Sequence, residues 1–95
     1  MAKMEVTPGS ENIFEALELE EAENLRVRAL LMAEITQIWR DSDLLQYEMA
    51  ERMKQTPARF NDVVKGRIHK CTVDRLLKML AAVGKQVEVK IHDAA

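Results

Sequence analysis

Two short apolar stripes lie almost end to end in residues 44–66, LLQYEMAERMKQTPARFNDVVKG. That spacing constrains the fold more than any other feature of the chain. Leu45, Met49 and Met53 recur every four residues, with Ala50 beside Met49, which is helical periodicity. Ser42 or Asp43 is expected to cap this helix by accepting a backbone hydrogen bond. A second helix restarts at Thr56, whose hydroxyl suits a cap, and Pro57 fits the first helical position, where no donor is missed. Phe60, Val63 and Val64 form the second stripe, and Gly66 suits a left-handed helix end. Only Lys54 and Gln55 lie between the two helices. A link that short forces them to cross and pack.

Crossed helices of this length with a tight turn are the layout of a helix-turn-helix, whose second helix reads a DNA major groove. On that second helix Ala58, Arg59, Asn61, Asp62 and Lys65 lie off the Phe60/Val63/Val64 stripe. Arg can grip guanine and Asn adenine through paired hydrogen bonds, each good pair discriminating by about 1–3 kcal/mol. An ordinary solvated helix face has the same polarity, so composition alone leaves both readings open. The charge distribution bears on the choice. The formal net charge of −2 averages two unlike parts. Residues 1–24 hold seven Glu against one Lys. Residues 52–78 hold Arg52, Lys54, Arg59, Lys65, Arg67, Lys70, Arg75 and Lys78, opposed only by Asp62 and Asp74. Counterion release from DNA needs such a local cluster and not a basic whole.

Around the motif the periodicities suggest a helical body. Residues 1–9 contain Pro8 and Gly9 and are expected to form a flexible or extended tail. A short helix is expected over 10–19, with Ile13, Phe14 and Leu17 on one face. The longest helix is expected over 20–40, where Leu25, Ala29, Met32, Ile35 and Trp39 repeat at helical spacing. Leu30, Leu31 and Ile38 widen its apolar arc, which suits a second packing partner. Thr72 should cap a last helix with Val73, Leu76, Leu77, Leu80 and Val83 buried, and Gly84 should stop it. Residues 86–92, QVEVKIH, alternate: Val87, Val89 and Ile91 on one side, Glu88 and Lys90 on the other. That is a half-buried strand. A lone strand cannot satisfy its own backbone groups. With no second convincing strand in the chain, Val87, Val89 and Ile91 are expected at an interface with another copy or with a partner's sheet edge.

Several classes of function find no support. Cys71 stands alone, and His69 and His92 have no ligand cluster at metal spacing, so neither a metal site nor a cofactor is expected. There is no Gly-rich phosphate loop and no recognisable nucleophile constellation, so no enzyme is expected. The apolar runs are too short for a membrane span, and Met1–Ser10 lacks the apolar core of a signal peptide. A cytoplasmic protein is the simple expectation.

Over SENIFEALELEEAENLRVRALLMAEI (10–35), LLQYEMAERMKQTPARFNDVVKGRI (44–68) and TVDRLLKMLAAVGKQVEVKI (72–91), the chain resembles the phage-repressor-like regulators of the XRE family. More closely it resembles their short antitoxin branch of the HigA type, encoded beside RelE-like toxins. Leu44, Gln46, Glu48, Ala50, Thr56, Arg59, Asp62, Lys65, Gly66 and Arg67 match the family pattern. It departs at three places. Leu45 stands where relatives cap with Thr, Lys54 replaces the turn Gly, and Pro57 replaces a Gln that often reads adenine.

The resemblance implies an all-α, phage-repressor-like bundle of about five helices over residues 10–85, followed by the strand at 86–92. It implies a homodimer on double-stranded operator DNA that represses its own operon and binds a RelE-like RNase toxin. The DNA-binding set is expected to be Gln46, Thr56, Pro57, Ala58, Arg59, Asn61, Asp62, Lys65, Arg67 and Lys70. Gln46, Lys65, Arg67 and Lys70 would hold phosphates; Arg59 and Asn61 would read bases. Two alternatives stay open: a protein-interaction module whose DNA reader has decayed, and a stand-alone phage-type repressor.

Overall fold

The computed structural model describes residues 2–6, 19–91 and 93, and it is mostly helical. Strand β1 covers Ala2–Val6 and helix α1 covers Leu19–Arg40. The two motif helices follow as α2, Gln46–Arg52, and α3, Pro57–Val64. A 3-10 turn at Ile68–Lys70 leads to α4, Val73–Ala82, and the chain returns in β2, Val87–Ile91. The helix expected over 10–19 lies outside the described residues.

The core forms where the four described α-helices meet. Val27, Leu31, Met32 and Ile35 of α1 face Met49 and Ala50 of α2, Phe60 and Val63 of α3, and Leu76, Met79 and Leu80 of α4. Met53 and Cys71 close the gaps from the connecting turns. On α1 the buried line runs through Val27, Leu31 and Ile35, and the expected Ala29 is exposed. The broad apolar arc of this helix permits either rotation, and packing against α3 and α4 selects one. Leu45, counted with the α2 stripe, is 60% exposed. It precedes the helix, so helical spacing does not carry it inward. Trp39 is half-buried, with its ring edge-on to Phe60 at 6.1 Å and 84° and its indole N–H on the Leu44 carbonyl at 2.9 Å. Its aromatic surface thus seats α3, and its polar atom fixes the entry to α2.

The C-terminal strand is present, and its partner is in the same chain. β1 and β2 pair in parallel, with Ala2 opposite Val87, Met4 opposite Val89 and Val6 opposite Ile91. One expectation is corrected here: a second strand exists, within the flexible or extended tail expected over residues 1–9. AKMEV carries the same two-residue alternation as VEVKI, and the register sets Lys3 opposite Glu88 and Glu5 opposite Lys90. β1 also runs beside α1, and Val87 packs against the core.

Candidate nucleic-acid interface

The reader helix α3 is set by its two ends. Thr56 is the N-cap, its Oγ1 accepting the Arg59 backbone N–H at 3.2 Å, with Pro57 at the first helical position. At the far end the N–H of Gly66 donates to the Val63 carbonyl and that of Arg67 to Asp62, at 3.0 and 2.9 Å. This paired turn needs a left-handed residue at its end, and Gly66 supplies it at φ +73°. Phe60 and Val63 are buried, which fixes the rotation of the helix about its axis.

That rotation leaves Thr56, Pro57, Ala58 and Arg59 exposed, with Asn61 and Asp62 half-buried beside them. Lys65, the C-cap, is exposed, as are Arg67 and Lys70 in the loop that follows. Gln46 begins α2 and is half-buried. The expected set therefore occupies the start of α2, the open face of α3 and the loop beyond it. The helix α2 that precedes the reader is less well terminated. Neither Ser42 nor Asp43 caps it. Leu45 takes the N-cap position with no side-chain acceptor, and Glu48 reaches back to the Leu45 N–H at 2.8 Å. Ser42 is used elsewhere: its Oγ donates to the Trp39 carbonyl and accepts from the Leu44 N–H, closing the end of α1. Lys54 does adopt the left-handed conformation, at φ +60°.

The fold joins two residues of the set. Asp62 Oδ1 accepts from Arg67 Nη1 at 3.1 Å, with Asp62 15% and Arg67 50% exposed. The Asp62 carboxylate is therefore a clamp on Arg67, whose side chain stays half exposed. Of the basic residues between 52 and 78, Lys78 is spanned by Asp74 on its own helix. Arg52, Lys54, Arg59, Lys65 and Lys70 are exposed, so the basic stretch stays a surface feature after folding.

Two residues of this region carry no sequence signal. Tyr47 is 60% exposed next to Gln46 and adds a phenolic donor to the start of α2. Arg28, half-buried on α1, donates through Nε to Asn24 and through Nη1 to the Ile68 carbonyl at 3.2 Å. It braces the loop carrying Arg67 and Lys70. Below that loop Cys71 is buried, its Sγ donating to the Arg67 carbonyl at 3.5 Å. Burial pushes the thiol above its ordinary value, and Asp62 adds to the shift, so the group packs as a neutral thiol and is a poor nucleophile.

An exposed basic stretch on crossed helices is the surface that a nucleic-acid-binding module needs. The sequence places it: the model of a family described as helix-turn-helix domain matches residues 13–92, and the chain belongs to that family. It is a helix-turn-helix protein of the kind found in DNA-binding regulators. No curated protein matches the chain significantly. No described helix is long and apolar enough to cross a membrane.

Proposed function

We propose that the protein is a sequence-specific operator-binding repressor. It acts as a homodimer and serves as the antitoxin of a type II toxin–antitoxin pair. The observation that carries the DNA-reading part is the open N-terminal half of α3, Thr56 to Arg59, presented on a buried Phe60/Val63 footing within an exposed basic stretch. Helix-turn-helix readers contact bases through that half of the second helix. Arg59 and Asn61 discriminate bases, with Ala58 permitting close approach. Gln46, Lys65, Arg67 and Lys70 hold phosphates and supply most of the affinity. Two readers in a dimer enter successive major grooves about 34–36 Å apart. The antitoxin role is supported by the likeness to the HigA branch across most of the chain, and its partner is a RelE-like RNase.

The two groups of contacts separate experimentally. Arg59→Ala lowers preference for the operator over other DNA, by an amount of the order of the ~1–3 kcal/mol of a bidentate base contact. Lys65→Ala weakens all DNA alike and lowers the salt slope by about one. Unchanged operator preference in Arg59→Ala removes Arg59 from the base-reading set. A second reading has its own observation. Pro57 puts a ring, with no hydrogen-bonding group, on the exposed first position of α3. A module that holds its toxin but shows no DNA binding at any salt is then a protein-interaction domain with a decayed reader.

A further inference from the structure

Among the described residues the sheet has two parallel strands. Parallel strands pair less stably than antiparallel ones, and parallel sheets occur almost only where both faces are covered. A two-stranded sheet also exposes a row of N–H and C=O groups along each edge. Among the described residues β2 is paired with β1, and β1 also runs beside α1.

We propose that β2, on its side away from β1, pairs antiparallel with β2 of a second copy, across a twofold axis at Val89, giving a four-stranded sheet in the order β1, β2, β2, β1. The sequence of β2 is self-complementary about that point. Antiparallel pairing about residue 89 sets Glu88 opposite the partner's Lys90 and Lys90 opposite the partner's Glu88. Both are exposed in the single chain. Extended through the in-chain register, each charged row then reads Lys3, Glu88, the partner's Lys90, the partner's Glu5, alternating in sign at every step. The intervening rows contain only Ala2, Met4, Val6, Val87, Val89, Ile91 and their copies. Shifting the register by one residue sets charged positions opposite apolar ones, and an interface that repeats the same contacts on both copies closes as a dimer. The proposal rests on the dimeric part of the reading above, and its test contains no DNA.

Glu88→Lys and Lys90→Glu each turn both charge pairs of this interface into like-charge pairs. Each variant alone should raise the dimer dissociation constant about tenfold or more, read by sedimentation equilibrium. Mixed in equal amounts, the two variants should associate as heterodimers with affinity near wild type. Across the axis, positions 88 and 90 are then both basic on one chain and both acidic on the other, so each cross-chain pair regains opposite charges. Any effect of a substitution inside its own chain persists in the mixture, so recovery cannot come from relief within a chain. A dimeric wild type with no recovery on mixing, or with no effect of either variant, overturns this interface and leaves the dimer itself standing. A monomeric wild type overturns both. Should the variants fail to fold, isotope-filtered NMR on wild type decides the matter. Contacts between labelled and unlabelled chains centred on Val89 support the proposal; contacts at residues 2–6 alone, or none, refute it.

Discussion

The two helices of the motif are terminated very differently. α3 begins at a Thr cap with Pro behind it and ends on Gly66. α2 begins at Leu45, which has no capping atom, and ends on Lys54. Yet the turn after α2 has the same hydrogen bonds as the turn after α3. Lys54 N–H donates to Glu51 and Gln55 N–H to Ala50, at 3.0 and 2.9 Å. The end of α4 repeats the pattern, Gly84 N–H to Ala81 and Lys85 N–H to Leu80, with Gly84 at φ +78°. Three helices thus end in one backbone shape, and only α2 forms it without glycine. Local stabilisation is concentrated on the helix that presents Arg59, and the crossing turn is held in shape by burial of Met49, Ala50 and Met53.

Exchanging residues between the two helix ends probes this contrast. Gly66→Lys recreates the α2 ending under the reader and should cost about 1–2 kcal/mol by urea denaturation. A Cβ there meets nothing within 4 Å, so no steric clash adds to the backbone strain. Thr56→Ala strips the reader of its cap and should cost about 1 kcal/mol in the same assay. The reverse exchange, Lys54→Gly, relieves the same kind of strain and should stabilise the protein by about 0.5–1 kcal/mol, the looser unfolded chain offsetting part of the gain. Leu45→Thr supplies the missing cap and should add a few tenths to about 1 kcal/mol. The smallest effect lies beneath the reader loop. The folded state raises the Cys71 pKa, so its contribution is fully present below the ordinary thiol value and is lost as pH climbs through the raised one. Melting temperature should be insensitive to this group near neutral pH and fall at alkaline pH, with that part of the fall absent in Cys71→Ala.

The same contrasts separate what is legible in the sequence from what is not. Thr56, Pro57, Phe60 and Gly66 act within one or two turns of their own positions, so spacing alone places the reader helix and its open face. The left-handed Lys54 is legible because a two-residue link has few backbone solutions and Gly stands there in the family pattern that the sequence resembles. The start of α2 is not, since Ser42 is equally suited to close the helix before it, and the Trp39 carbonyl claims it. The buried line of α1 depends on which neighbours pack against a broad apolar arc. β1 is hidden because five alternating residues have meaning only once a strand from the far end of the chain lies beside them. The Asp62–Arg67 clamp joins two residues that composition alone assigns to separate tasks.

Whether α3 is a working DNA reader decides the rest. The test is binding of the purified protein to the DNA upstream of its own coding sequence, against scrambled DNA, at two salt concentrations. A working reader binds tightly and salt-sensitively, with a preference for the upstream fragment that survives at the higher salt. Equal binding to both fragments at either salt, or no binding, would show that α3 does not read DNA.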